Sequence, residues 1–283
     1  LMSGANEALL YDSLKKLKRE NESQKYFGRL RIYDLVAIAI AAPIGSFLSP
    51  IIGLRGVMFI SGLPCLISFF LAFTLKEVRH TKSVKKDYFS IMKNGVRYFR
   101  NHKILKLLAF DRISINVLVF SMFWAHQVVL EKIGLDISKF GIVITAVCII
   151  EIFMLSSFGF FEKLLGSKRK YVFWSAMVPA IAALLISMNV SLVFSIIMII
   201  IMLGVGMPRY TLFAHYMNKH ARSDMRATIL SSSSMIQSFF MAIFYPLFGM
   251  LIDWNVFYTF AIMGFLMLAS TVFSRVEEEH LID

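Results

Sequence analysis

The longest uncharged stretch of this sequence is the feature that most limits how the chain can fold. From Tyr171 to Pro208 there are 38 consecutive residues without Asp, Glu, Lys or Arg, with a polar stretch at 188–191 near the middle. One crossing of a lipid bilayer takes about 20 apolar residues. The stretch is therefore long enough for two crossings joined by a turn, which is typical of an integral membrane protein.

Six further stretches extend this pattern along the chain. Each holds 18 to 26 residues without a charge, apart from Glu151 at the centre of one of them; they are residues 35–54, 56–75, 113–130, 140–161, 227–252 and 254–274. Together with the two crossings at 171–208 they predict eight full transmembrane helices. Helices are favoured over a closed barrel because barrel strands would alternate apolar and polar residues over about 10 positions.

Composition and charge agree with this interpretation. Of the 283 residues 58% are hydrophobic and 17% are charged, whereas an average soluble protein is about one quarter charged. If the segment before the first span is cytoplasmic, 26 of the 30 Lys and Arg residues fall inside and 3 outside, with Arg112 within a span. This asymmetry follows the positive-inside rule. We therefore expect a multi-pass protein of the cell membrane with a cytoplasmic C-terminus, and no nucleic-acid partner.

Three motifs resemble the major facilitator superfamily of transporters. Residues 3–14, SGANEALLYDSL, resemble the end of the fourth helix of many members, with Asn6 in place of an aspartate. Residues 159–170 resemble the inter-helix signature of the family, with Glu162 for Asp and Lys163 for Arg. Arg226-Ala227-Thr228, followed by serines at 231–234, is similar to the start of the eleventh helix. The resemblance implies that the chain covers part of helix four to helix twelve, without helices one to three.

The resemblance also implies the fold and the domain organisation. We expect an all-α membrane protein, a bundle of eight full transmembrane helices plus a partial N-terminal one. Residues 1–78 are predicted to be the end of helix four with helices five and six of an N-terminal bundle, and residues 104–276 a C-terminal six-helix bundle. Residues 79–103 are predicted to be an amphipathic cytoplasmic linker, either bound to the membrane surface or a plain tether. Residues 277–283 form an acidic cytoplasmic tail.

Ionisable side chains inside the predicted spans are candidates for chemistry, because a charge within the bilayer is costly. Glu151 lies at the centre of its span, where burial favours the neutral acid. It is interpreted either as a proton-coupling group or as a protonated acid that is hydrogen-bonded to a neighbouring helix. Asp111 is the second proton-coupling candidate.

Polar residues on the same helix as Asp111 are candidates for a substrate cavity. Arg112 and Asn116 share a face at i and i+4, and Gln127 lies near that side. Such a stripe is typical of a helix that lines a water-filled cavity. The alternative is that Asp111 and Arg112 lie at the headgroup level, where Arg112 reaches toward water; being adjacent, they are not expected to pair with each other. Gln237 is a further candidate for substrate contact.

Charged residues at the predicted cytoplasmic mouth are candidates for a gate. The resemblance implies that charge pairs there hold one side of the transporter closed and release it. Topology alone would also place basic residues in these loops. The gate candidates are Glu7, Asp12, Glu162, Lys163, Lys168, Arg169 and Arg226.

We therefore predict a secondary active transporter that moves a small organic solute by alternating access, with proton-coupled efflux as one form. The alternative is a truncated or non-transporting polytopic membrane protein with a binding or scaffold role. The sequence contains no P-loop, H-E-x-x-H or G-x-S-x-G motif. No enzymatic activity, catalytic residue, metal or cofactor is therefore predicted. The expected partners are the solute, protons and the lipid bilayer, and we expect a monomer.

Overall fold

The computed structural model describes residues 23–74, 101–220 and 226–281, with a few positions between 10 and 19 and at 97–98. The described residues are about 89% helical and include no strand, which confirms the predicted all-α fold. Six of their apolar helices are long enough to cross a membrane. The chain forms two compact units, Leu1–Lys86 with Ile137–Thr145, and Asp87–Asp136 with Ala146–Asp283. The number of eight spans and the domain boundaries stay predictions, and most of the predicted linker lies outside the described residues.

The first unit is built on a helical hairpin, α1, which spans Ser23–Ala72 and is broken at Gly53. Gly53 has φ of 71°, in the left-handed region that glycine adopts without steric cost. A Cβ atom on Gly45 would lie 3.6 Å from Val57 Cγ1. In an unbroken helix, residues 12 positions apart would instead be separated by about 18 Å. The chain therefore folds back at Gly53, between the two spans predicted at 35–54 and 56–75.

The second unit contains the remaining helices, and α3 enters it at Ala146. These helices are α2 (Lys103–Lys132), α3 (Phe140–Ser156), α4 (Phe158–Leu165), α5 (Lys168–Ser187), α6 (Leu192–Gly206), α7 (Arg209–His220), α8 (Arg226–Trp254) and α9 (Val256–Val272). Two 3₁₀ turns, Ile137–Lys139 and Glu278–His280, complete the described elements.

Short polar side chains explain where several helices begin. Ser167 caps α5, Ser191 caps α6 and Asn255 caps α9, each accepting hydrogen bonds from backbone amides of the first turn. The turn predicted at 188–191 is confirmed by the cap at Ser191. The uncharged run at 140–161 was predicted to be one helix; the structure ends α3 at Ser156, and the short helix α4 follows.

Helix α2 is the centre of the second unit. It contacts α6, α7, α8 and α9, and its buried residues Leu105 and Leu108 belong to a core cluster with Phe213 and Tyr216 of α7. The most extensive contact joins α9 to α5. There, a Cβ on Gly264 would lie 3.0 Å from the carbonyl oxygen of Ala180, so only glycine permits this close approach.

Helices α6 and α7 form one apolar segment that is interrupted at Met207 and Pro208. The segment suitable for crossing a membrane runs over Leu192–Met217. Pro208 has no amide hydrogen and cannot continue the hydrogen-bond ladder of α6. The interruption places Arg209 at the first residue of α7, where its side chain is only 4% exposed.

Candidate functional site

An ion pair lies inside the second unit, between α2 and α7. Asp111 Oδ1 accepts a hydrogen bond from Arg209 Nη2, and both side chains are 4% exposed. The second carboxylate oxygen, Oδ2, accepts a hydrogen bond of 2.5 Å from the hydroxyl of Ser274, just beyond α9. Because each oxygen of Asp111 has its own donor, the buried negative charge is compensated by a cation and by a neutral hydroxyl.

The guanidinium of Arg209 has further partners on α5. Its Nη1 donates to the carbonyl oxygen of Val172 at 2.5 Å and to Ser175 Oγ at 2.6 Å. The ring centroid of Phe213 lies 4.5 Å from the guanidinium carbon. The contacts to Val172 and Ser175 do not depend on the charge of Asp111, so α5 holds part of the guanidinium independently of the ion pair.

The neighbouring Arg112 points elsewhere. Its Nη1 donates to Ser233 Oγ of α8 at 3.2 Å, and its guanidinium carbon lies 3.9 Å from the ring centroid of Tyr210. The two adjacent side chains therefore have different partners, as their angular separation predicted, although both reach residues of α7. Arg112 is 2% exposed, so the alternative in which its side chain reaches toward water is wrong.

Glu151 lies on α3 within the second unit and is 3% exposed. It has interaction partners of its own, and its burial is compatible both with proton coupling and with a structural hydrogen bond. Within the described residues, no group of three or more His, Cys, Asp and Glu side chains could hold a metal ion.

The predicted cavity residues divide into two groups. Asn116 is 8% exposed and Gln237 is 9% exposed, whereas Gln127 is exposed. The amide nitrogen of Gln237 contacts Met241 Sδ at 4.0 Å, and its Oε1 is buried without a hydrogen-bond partner among the described residues. Asn116 and Gln237 thus supply buried polar groups, and Gln127 does not share their environment.

A cavity of about 370 Å³ is lined by residues of α2 and α8. Its walls include the aromatic side chains of Trp124, Tyr245 and Phe248 and the hydroxyl-bearing Ser121. Ser121 donates its proton to the carbonyl oxygen of Val117 at 2.7 Å. The hydroxyl of Tyr245 contacts Met241 Sδ at 3.6 Å, and a thioether sulfur is only a weak hydrogen-bond acceptor. The cavity is therefore largely apolar and aromatic.

The described gate candidates do not form one charge cluster. Glu162 accepts a hydrogen bond of 2.9 Å from the hydroxyl of Tyr216 on α7. Lys168 Nζ donates to the carbonyl oxygen of Leu281 at 3.0 Å, while the side chains of Lys163 and Arg169 are exposed. Three further candidates lie outside the described side chains; they are Glu7, Asp12 and Arg226.

The acidic tail is attached to the first turn of α5. The Glu278 carboxylate accepts hydrogen bonds from the hydroxyl of Ser167 and from the amides of Lys168 and Arg169, the latter two at 2.9 Å. Desolvation raises the pKa of the Glu278 carboxyl, but the hydrogen bonds from Ser167, Arg169 and Lys168 and the charge of Lys168 outweigh this effect. The pKa of Glu278 therefore lies below its ordinary value. An acidic side chain at a helix N-terminus is also favoured by the helix dipole.

Sequence reasoning missed several residues of this arrangement. Arg209 is one of the basic residues that the charge distribution assigns to the cytoplasmic side, and nothing local in the sequence singles out Tyr210 or Ser274. The available signal was the position of Arg209 directly after the uncharged run that ends at Pro208. The apolar segment resumes after Pro208 as α7, and its first residue, Arg209, lies inside the bundle.

The sequence model of the family described as Major Facilitator Superfamily matches residues 2–245. This range covers most of the chain and includes Asp111, Arg112, Glu151 and Arg209. No curated protein matches the chain.

Proposed function

The chain belongs to the major facilitator superfamily, and from this premise we propose that it is a proton-coupled secondary transporter of a small organic solute. It is a multi-pass membrane transporter of that family, which works by alternating access. The observation that carries the proposal of proton coupling is the buried pair of Asp111 and Arg209, an ionisable carboxylate that joins two helices of one unit. Export is the direction we propose.

Protonation of Asp111 would change the contact between α2 and α7. The neutral acid no longer compensates the guanidinium of Arg209, and an uncompensated buried cation is strongly unfavourable. Arg209 keeps its bonds to Val172 and Ser175, so the energetic change falls mainly on the α2–α7 contact. A proton at Asp111 therefore favours a different packing of these helices, which is the differential stabilisation that a two-state transporter requires.

Glu151 is the second proposed proton-coupling residue. It is 3% exposed on α3 and has interaction partners of its own, so a proton at this position would change a buried contact. If protons bind at both positions, replacing either carboxyl group alone will reduce the number of protons moved per solute. If only one position is coupled, replacing the other leaves the pH dependence of transport unchanged.

The proposed substrate is a small, largely apolar or aromatic organic molecule. The cavity of about 370 Å³ lies within the usual size range of small-molecule sites, about 300–1,000 Å³. Trp124, Tyr245 and Phe248 supply flat apolar surface, and Gln237 supplies a buried carbonyl oxygen on the same helix as Tyr245. We further propose the cell membrane as the location, with the C-terminus on the cytoplasmic side, because of the distribution of Lys and Arg.

A transport assay in vesicles tests the proposal. The protein, expressed from its natural reading frame, is reconstituted and supplied with a panel of aromatic dyes, with and without an imposed pH gradient. We expect dye accumulation driven by the gradient. Asp111→Asn should abolish gradient-driven accumulation while dye exchange at equal pH continues, because exchange needs no net proton movement.

Asp253→Asn is the matched control, since Asp253 is an exposed carboxylate at the end of α8. It should retain both accumulation and exchange. Unchanged gradient-driven accumulation in Asp111→Asn and in Glu151→Gln would contradict proton coupling at these residues. Absence of any dye movement by the unmodified protein across the panel would favour the non-transporting alternative.

A further inference from the structure

A second pocket lies at the end of the bundle where α2 begins and α9 ends. It encloses about 300 Å³ and belongs entirely to the second unit. Three basic side chains line it, those of Lys103, Lys106 and Arg275. Its walls also include the aromatic rings of Phe110 and Phe273. The pocket therefore combines a cationic part with an apolar part.

The three basic side chains are not neutralised by the protein. In the part of the chain that the structure describes, no acidic side chain is paired with Lys103, Lys106 or Arg275. The carboxylate that lines the pocket, Asp111, is already bonded to Arg209 and Ser274. Three uncompensated positive charges around one small volume favour an anion that carries several acceptor oxygens, such as a phosphate group.

The position of the pocket along α2 agrees with a headgroup location. Helix α2 has 30 residues and is therefore about 45 Å long, whereas the hydrocarbon core of a bilayer is about 30 Å thick. About 15 Å of the helix therefore lies beyond the core, and we place its first residues, with Lys103 and Lys106, in the headgroup region because lysines at helix ends extend toward it. Phe110 and Phe273 are 73% and 80% exposed, and on a membrane-spanning bundle such exposed rings contact acyl chains.

We propose that this pocket binds one anionic phospholipid, with its phosphate among Lys103, Lys106 and Arg275. One acyl chain lies along Phe110 and Phe273. The charges select an anionic headgroup over a zwitterionic one, and the aromatic rings select a lipid over a soluble phosphate. Basic pockets between transmembrane helices bind anionic headgroups in this way. The pocket shares Asp111 and Ser274 with the proposed proton-coupling site, but lipid binding does not depend on which solute the protein moves.

Native mass spectrometry of the delipidated, detergent-solubilised full chain tests the proposal. Phosphatidylglycerol and phosphatidylcholine with identical acyl chains are added separately, and bound lipid is counted. We expect one phosphatidylglycerol that is retained at activation energies which remove phosphatidylcholine. The variant Lys103→Gln/Lys106→Gln/Arg275→Gln should bind phosphatidylglycerol more weakly by a factor on the order of a hundred. This factor follows because each positive charge contributes about tenfold or less to the affinity.

The control variant removes the same number of positive charges elsewhere. Lys163, Lys170 and Lys219 are exposed, and Lys163→Gln/Lys170→Gln/Lys219→Gln should retain the bound phosphatidylglycerol. Thermal unfolding of both variants without added lipid establishes that each is folded. If the pocket variant is unfolded, the single variant Arg275→Gln replaces it, with a loss of affinity of about tenfold or less.

Three results would overturn the proposal. Equal retention of phosphatidylcholine and phosphatidylglycerol, or equal loss of phosphatidylglycerol from the pocket and control variants, would show non-selective lipid around the protein. Inorganic phosphate or glycerophosphoglycerol, which lacks acyl chains, should displace the bound lipid only at far higher concentration than phosphatidylglycerol. If either binds as well as the lipid, the pocket is a soluble-anion site and the lipid assignment is wrong.

Discussion

At the scale of single residues, the Asp111 side chain is held by two donors from outside its own helix. Its two oxygens are bonded to two different helical regions, Arg209 at the start of α7 and Ser274 beyond α9. Breaking a buried ion pair by removing one partner is far more destabilising than replacing both partners together, because the remaining charge has no compensation. Removing Asp111 alone is therefore expected to cost more stability than replacing both members of the pair.

Asp111→Asn is expected to lower the free energy of unfolding by about 3–5 kcal/mol. The asparagine cannot compensate the charge of Arg209, which remains buried. Unfolding in mixed micelles, followed by tryptophan fluorescence, measures the change. Asp253→Asn, at an exposed carboxylate, should change the free energy by less than about 0.5 kcal/mol.

The double variant Asp111→Leu/Arg209→Met distinguishes the stabilisation by the ion pair from the cost of leaving one buried charge without its partner. It removes both charges at once, so it should be less destabilised than Asp111→Asn alone. A double variant that is less stable than Asp111→Asn would show that the pair itself, and not the uncompensated arginine, supplies the stability.

Sequence reasoning found half of this site. Asp111 and Arg112 stand out because charges in an apolar span are costly, and their divergence follows from helix geometry. Their partners Arg209 and Ser233 are 98 and 121 residues away along the chain. Nothing local identifies such partners, since only the packing of α2 against α7 and α8 brings them together.

At the scale of helices, the uncharged runs located the apolar elements, and capping residues set their ends. The cap at Ser191 divides the long run at 171–208 into two helices in the predicted place. The run at 140–161 gave a wrong boundary because absence of charge says nothing about backbone geometry, and the chain leaves helical geometry at Ser157. The continuation of α6 into α7 was missed for a related reason. The uncharged run ends at Pro208, but the membrane-spanning segment does not.

Gly264→Ala is expected to loosen the contact between α9 and α5. The new methyl group would lie 2.9 Å from Leu184 Cγ and 3.0 Å from the carbonyl oxygen of Ala180, closer than atoms in contact allow. Such overpacking costs about 1–3 kcal/mol, which an unfolding titration in micelles can measure. Gly249→Ala is the matched control, because no atom lies within 4 Å of its new methyl group. Equal stability of the two variants would contradict the close approach.

The attachment of the tail to α5 is expected to be lost in acid. The pKa of Glu278 is lowered in the folded protein, so the contact stabilises the fold above the ordinary glutamate pKa of about 4.3. This contribution disappears as the pH falls through the lowered pKa of Glu278. Protection of the Lys168 and Arg169 amides against hydrogen exchange, expressed relative to an unstructured peptide, should decrease over the same pH range.

Two variants make this measurement specific. Glu278→Gln should show weakened protection of the same two amides at every pH, because the charged acceptor is gone. Glu279→Gln should follow the unmodified protein, since Glu279 is exposed and has no contact with α5 among the described residues. Protection that is independent of pH in the unmodified protein would show that Glu278 is not the acceptor.

At the scale of the whole molecule, the distribution of basic residues predicts which loops face the cytoplasm. Of the 30 Lys and Arg residues, 26 lie in segments assigned to the inside. A bias of this size sets the orientation of a multi-pass protein during insertion. The prediction concerns the chain in its membrane and depends on neither substrate nor coupling.

Cysteine labelling in intact cells tests the orientation. In a background where Cys65 and Cys148 are replaced by serine, cysteines at Arg55 and Lys132 should react with a membrane-impermeant maleimide. Cysteines at Lys163 and Lys170 should react only after the cells are opened. The reverse pattern of labelling would contradict the cytoplasmic assignment of the C-terminus.

The long separation between Asp111 and Arg209 has a consequence for biosynthesis. Helix α2 leaves the ribosome 98 residues before its ionic partner exists. At about 5–20 residues per second, that interval lasts roughly 5–20 s. During this time α2 carries Asp111 and Arg112 without their partners, and charges within a span disfavour membrane insertion. We therefore expect the nascent helix to remain beside the insertion machinery until α7 arrives, so that residues translated later complete its integration.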